Sequence, residues 1–202
     1  MAAPDQTLVW LTDAATLSDT ALAGFAGWLG EGERQRAARF VRPARRRQFI
    51  AGRALLRLAL ARVLGIAPHA ISLLERPGAA PMLALDGHEG AGFSISHSGR
   101  WVGCAVSLAC RVGFDIELID PARDIDALAG QAFDEQQRAT LAARLPESRV
   151  RDFYTMWSTA EARFKLGAAP AAIFEFLHPE LSVVLCCEQV LASQPALEIV
   201  ML

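Results

Sequence analysis

Three short stretches of this 202-residue chain carry side chains able to do chemistry. In Gly113-Phe-Asp115-Ile-Glu117, a strand would turn both carboxylates to one side and Phe114 and Ile116 to the other, because side chains alternate along extended backbone. Two carboxylates that close repel each other unless a cation or a proton lies between them, and an oxygen-only donor set favours Mg²⁺. In Trp157-Ser-Thr-Ala-Glu161-Ala-Arg-Phe-Lys165, the spacing of four puts Trp157, Glu161 and Lys165 on one helix face. Lys165 is the only lysine; the other 19 of the 20 basic residues are arginines. Lysine is a compact donor to phosphate and can release its proton, which arginine cannot. In Phe93-Ser-Ile-Ser96-His97-Ser-Gly-Arg-Trp101, small hydroxyls and a histidine stand at a strand end beside a glycine turn, a fitting cradle for phosphate. Ser96 and His97, adjacent on a strand, point to opposite faces and so do not form a nucleophile–base pair. This inventory fits metal-assisted chemistry on a phosphate ester.

The elements that must position these groups read as follows. Thr7 to Leu11 predicts a strand, and Ser18 caps a helix reaching about Leu29. A long helix is expected from about Ala44 to Leu64, with Pro43 at its start and Gly65 just past its end. Strands follow at Ile71–Glu75 and Met82–Leu85, separated by the loop Pro77-Gly-Ala-Ala-Pro81 and followed by an Asp86-Gly87 turn. Phe93–His97 and Trp101–Leu108 predict a hairpin, with Val112–Ile119 beyond it. Helical periodicity returns at Asp134–Arg144 and Val150–Leu166, and strands close the chain at Leu181–Cys187 and Ala196–Met201. Helix then strands, twice over, predicts an α+β fold of two similar halves, 1–109 and 110–202.

Composition narrows the class. The chain is 52% hydrophobic and 21% charged, enough apolar material for a packed core and too much for a disordered chain. No apolar run is long enough to span a membrane and no signal-peptide pattern opens the sequence, so a cytoplasmic protein is expected. The net charge of −2 marks no general affinity for nucleic acid. Yet from Arg34 to Arg62 there are ten arginines and no acid, a one-sided belt that calls for an anionic partner: a phosphate, an acidic protein or nucleic acid. Cys104, Cys110, Cys186 and Cys187 have no metal-site spacing and read as buried, reduced thiols.

At these same residues the chain resembles the surfactin-synthetase-activating type of 4′-phosphopantetheinyl transferase. The matching pieces are Phe93-Ser-Ile-Ser-His-Ser-Gly99, Gly113-Phe-Asp-Ile-Glu117, Trp157-Ser-Thr-Ala-Glu-Ala-Arg-Phe-Lys165, and the arginine-rich helix with Ala51-Gly52-Arg53 and Leu55-Leu56-Arg57. They agree in order and spacing over roughly residues 34–166. The resemblance implies a pseudo-two-fold pair of α/β halves, acting as a monomer with the active site in the cleft between them. It implies transfer of the phosphopantetheine arm of coenzyme A to a serine of an acyl or peptidyl carrier protein, releasing adenosine 3′,5′-bisphosphate. Asp115, Glu117 and Glu161 would then hold Mg²⁺, Glu161 would serve as base, and Lys165 would bind the pyrophosphate. Arg36 and His97, with Ser96 nearby, would take the 3′-phosphate end of coenzyme A. Two lysines frequent in the family are absent here, their places held by Ala80 and Ala160. Arg76 and Arg163 stand as possible replacements, and the turn after Lys165 reads Leu166-Gly-Ala-Ala-Pro170. A non-catalytic relative binding coenzyme A or a carrier is therefore the alternative. A nucleic-acid binder leaves the carboxylates unexplained and lacks aromatic residues among the arginines for base stacking.

Overall fold

The computed structural model describes residues 7–76, 79–85, 87 and 91–202. Strand β1 (Thr7–Asp13) leads into helix α1 (Asp19–Ala26), α2 (Glu31–Ala38) and the long α3 (Pro43–Leu64). A hairpin of β2 (Leu73–Arg76) and β3 (Ala79–Leu83) follows, then β4 (Gly92–Ser98), β5 (Trp101–Ser107) and β6 (Val112–Leu118). Next come α4 (Ile125–Ala132), α5 (Glu135–Ala142), α6 (Pro146–Leu166), β7 (Ala172–Glu175), β8 (Leu181–Cys187) and β9 (Leu197–Ile199). The helices start and stop where local chemistry dictates. The Ser18 hydroxyl accepts from the Ala21 amide at 3.0 Å to cap α1. Both long helices begin on proline and end on a left-handed glycine, Gly65 at φ 68° and Gly167 at φ 70°.

The strands form a sheet in the order β4-β5-β1-β9 and a second in the order β6-β8-β7, beside the β2-β3 hairpin. Strand alternation divides each central strand between two neighbours. Cys104 and Val106 of β5 pack on Leu55, Leu56, Ala59 and Leu60 of α3. Ala105 of β5 joins Val9, Leu11, Phe114, Ile116, Val183 and Leu185 in the core between the two sheets. On the outer face of the second sheet, Val184 and Cys186 pack on Ala162 and Leu166 of α6. The result is α+β: helix, sheet, sheet, helix. Strand β9, expected among the second group of elements, instead pairs in parallel with β1 of the first sheet. Helices α2 and α4 and strand β7 are further elements that sequence periodicity does not predict. The Pro77–Pro81 loop and the Asp86-Gly87 turn lie partly outside the described residues, and Ala79, Ala80 and Pro81 belong to β3.

The arginine belt divides on folding. Arg57 is 1% exposed and grips Glu33, itself fully buried, at 3.0 Å and 2.5 Å. Arg53 bonds Glu75 and stands 3.2 Å from Glu33. Arg36 reaches Glu75 at 2.7 Å, Arg47 reaches Asp19 at 2.8 Å, and Arg34 pairs with Glu31. These acids all lie outside the Arg34–Arg62 stretch, so half of the belt is paired within the chain, Arg53 and Arg57 in its interior. All four cysteines are buried and free, as their surroundings predicted. Burial pushes the Cys187 thiol up to about 12, which leaves it protonated and inert. Among the described residues, no helix is long and apolar enough to cross a membrane.

Candidate active site

Strand β6 puts Phe114 and Ile116 fully into the inter-sheet core, which turns Asp115 and Glu117 toward β4 and α6. Helix α6 approaches β6 without clearance at Gly113: a methyl group there would lie 1.9 Å from the Ala162 carbonyl oxygen. That backbone contact brings Lys165 to Asp115 although the two are 50 residues apart. The Lys165 ammonium donates to Asp115 Oδ1 at 2.7 Å, to the Ser96 hydroxyl at 3.0 Å and to the Phe114 carbonyl at 3.2 Å. Ser96 in turn donates to the same Asp115 Oδ1 at 2.8 Å. Asp115 Oδ2 is buried with no hydrogen-bond partner, an open acceptor of the kind that a bound cation satisfies.

Glu117 repeats the pattern one step along the strand. The Ser98 hydroxyl donates to Glu117 Oε2 at 2.8 Å and accepts from the Leu118 amide at 2.9 Å. Burial raises the Glu117 carboxyl above its ordinary value against the pull of the Ser98 hydrogen bond, and the charges of Asp115 and Glu161 raise it further. Glu161, half-buried and one turn before Lys165, therefore stands within electrostatic reach of Glu117. Among the described residues, no three histidine, cysteine or acidic side chains close into a finished metal site. Asp115 and Glu117 on β6, with Glu161 in electrostatic reach, are nevertheless oxygen donors of the hard kind that Mg²⁺ takes, and Asp115 Oδ2 is open to a cation.

Beside these carboxylates opens a cavity of about 450 Å³, whose cationic wall comes from Arg36, Arg45, Arg53 and Lys165, with His97 beside them. Arg36 lies 5.5 Å over the Phe49 ring and Arg45 5.5 Å over the Phe40 ring, so aromatic faces hold both guanidiniums. Partial desolvation, with the charges of Arg45 and Lys165, lowers the imidazole of His97, an exposed residue of β4, to about 4. It is a neutral hydrogen-bonding group at ordinary pH. Ser96, next to His97 on β4, faces Asp115 and Lys165. Arg76 does not enter this cavity. Its Nε donates to the Ala80 carbonyl at 2.8 Å, and it lines an adjoining space of about 640 Å³ that shares Ala80, Pro81, Phe93 and Lys165 with the first. Ser98 and Arg45 are site residues that sequence reading did not single out individually, though the alternation Ser94, Ser96, Ser98 opposite Asp115 and Glu117 was available as a signal.

The fold and site define an α+β protein that sets acidic donors beside a cationic cavity large enough for a small organic molecule. Family models match along the chain: that of the 4′-phosphopantetheinyl transferase N-terminal region over residues 18–109, and that of the 4′-phosphopantetheinyl transferase superfamily over 111–179. The chain is 31% identical over 148 residues to the 4′-phosphopantetheinyl transferase HetI of a Nostoc strain, an alignment covering 73% of this chain and 62% of the relative. It is 34% identical over 135 residues to a 4′-phosphopantetheinyl transferase of Bacillus subtilis, covering 66% and 57%. To the 4′-phosphopantetheinyl transferase AcpT of Escherichia coli it is 31% identical over 147 residues, covering 70% of each. The chain belongs to the 4′-phosphopantetheinyl transferase superfamily, and it spans about three-fifths of the length of the Nostoc and Bacillus relatives.

Proposed function

We propose that the protein transfers the 4′-phosphopantetheine arm of coenzyme A to a serine of an apo acyl or peptidyl carrier protein. The observation carrying this reading is Lys165, which bonds Asp115 on one side and lines the cavity bearing Arg36, Arg45 and His97 on the other. In the reaction a bond forms between the serine oxygen and the phosphorus bearing the pantetheine. The bond from that phosphorus to the bridging oxygen breaks, adenosine 3′,5′-bisphosphate leaves, and the serine proton passes to a base.

Each residue has a role that its surroundings support. Arg36, Arg45 and neutral His97 bind the 3′-phosphate end of coenzyme A. Lys165, the one compact cation at the junction, exchanges its Asp115 contact for the pyrophosphate and stabilises charge on the leaving oxygen. Glu161, one turn before Lys165 on α6, accepts the serine proton, directly or through one water. Asp115, Glu117 and Glu161 would hold Mg²⁺, which supplies neutralisation of pyrophosphate charge when bound. The halves at 1–109 and 110–202 divide the work between coenzyme A binding and the carboxylates, in a monomeric, cytoplasmic enzyme. Arg76 at the Ala80 strand and Arg163 beside Ala160 stand in for the two missing lysines.

The test is the intact mass of several apo carrier proteins after incubation with this protein, coenzyme A and Mg²⁺, with a known transferase run alongside. A gain of one phosphopantetheine, abolished by chelation and by Glu161→Ala, is expected. No gain on any carrier that the known transferase modifies would replace the catalytic reading with a non-catalytic one.

A further inference from the structure

The two carboxylates of β6 are held from a different sheet. Strands β4 and β6 share no ladder, belonging to the first and second sheets respectively. They are joined instead by serine hydroxyls that advance in step: Ser96 on Asp115 and Ser98 on Glu117. Ser98 is the better fixed of the two. Its oxygen accepts the Leu118 amide at 2.9 Å, which leaves the hydroxyl proton one direction, to Glu117 Oε2 at 2.8 Å. An oxygen pinned by a backbone amide and aimed at one carboxylate oxygen orients that carboxylate and leaves Oε1 as its free donor. Ser96 cannot serve in the same way, because its partner Asp115 is also claimed by Lys165.

We infer that Ser98 is a positioning residue for the metal carboxylate Glu117, so that the first sheet sets the coordination geometry of the second. This rests on the transferase reading of the site, in which Glu117 is a ligand. Losing such an orienting partner lowers metal affinity by about tenfold to a hundredfold in metalloenzymes generally.

The experiment titrates Mn²⁺, as a spectroscopic substitute for Mg²⁺, into the 202-residue chain saturated with coenzyme A and free of carrier. Free Mn²⁺ is followed by electron paramagnetic resonance against a coenzyme A blank. Ser98→Ala is expected to weaken Mn²⁺ binding about tenfold or more, Ser98→Thr to restore it by returning the hydroxyl, and Ser98→Cys, a poorer donor, to fall between. The KM for Mg²⁺ in transfer should rise by the same factor while kcat at saturating metal changes little. Equal Mn²⁺ affinity in wild type, Ser98→Ala and Ser98→Cys overturns the inference and leaves the transferase reading standing. Absence of Mn²⁺ binding by the wild type overturns both. If Ser98→Ala does not fold, wild-type affinity in Ser98→Cys still refutes the inference.

Discussion

Replacing Gly113 by alanine tests whether backbone contact between α6 and β6 sets the site. The added methyl would stand 1.9 Å from the Ala162 carbonyl oxygen, 2.6 Å from the Leu166 nitrogen and 3.0 Å from the Ala162 carbonyl carbon. All three atoms are helix backbone, so no side chain can swing aside. Ordinary contact begins at 3.4 Å, which requires α6 to withdraw by about 1.5 Å. The Lys165–Asp115 bond of 2.7 Å does not survive a shift of that size, since useful N–H···O geometry ends near about 3.2 Å. Overpacking of this kind costs about 1–3 kcal/mol, and each kcal/mol lowers the melting temperature of a chain this long by about 2–4 °C. The larger effect falls on rate, where a displacement of about 1 Å costs about a hundredfold. The assay is kcat/KM for carrier modification by intact mass, paired with thermal melting. Gly130→Ala is the control: nothing lies within 4 Å of its added methyl, so it should be neutral or slightly stabilising. Wild-type rate and melting in Gly113→Ala would refute the claim that this contact places Glu161 and Lys165.

Other perturbations separate framework from function. Arg57→Met leaves the fully buried Glu33 with Arg53 as its one remaining cation among the described residues, beside the Gly30 amide. A loss of about 3–5 kcal/mol in urea unfolding is expected, and a loss under about 1 kcal/mol would show that the network tolerates the change. His97, held at about 4 in the folded state against an ordinary 6.5, takes its proton later than the unfolded chain does. Its contribution to stability is therefore complete above pH 6.5 and lost as pH falls toward 4. Wild type should lose melting temperature across that window more steeply than His97→Asn, and parallel curves would contradict the shift. Arg45 lines the cavity whereas its neighbour Arg46 is exposed. Arg45→Glu should thus raise the KM for coenzyme A and Arg46→Glu that for the carrier; the reverse ranking would reassign both.

The long helices and the strands β4, β5, β6 and β8 were legible because each carries its own signals: a glycine at the helix end, alternation in β4 and β6, or an apolar run in β5 and β8, although the Pro146 start of α6 lies four residues before the expected Val150. Helix α2 was not, because it has no apolar stripe to read. Its buried residues are Glu33 and Ala37, and burying Glu33 makes sense only once Arg53 and Arg57 arrive from α3. Alternation alone announced that Asp115 and Glu117 share a side. The pairing of Asp115 with Lys165 depends on how closely two elements pack, information carried by Gly113 but readable only in three dimensions. The arginine belt misleads for a related reason, since its counter-charges Asp19, Glu31, Glu33 and Glu75 are supplied from outside the run.

The parallel pairing of β9 with β1 has a consequence for how the chain comes together. Val9 and Leu197 are ladder partners, so the first sheet cannot be completed until all of the second has been synthesised. Until then β1 offers one unpaired edge flanked by the fully buried Val9 and Leu11, an edge open to pairing with other chains. A fragment ending near residue 109 would carry that edge permanently. Expressing the two halves separately should give an aggregating first half, which adding residues 197–199 in trans, on the complementary fragment, would relieve.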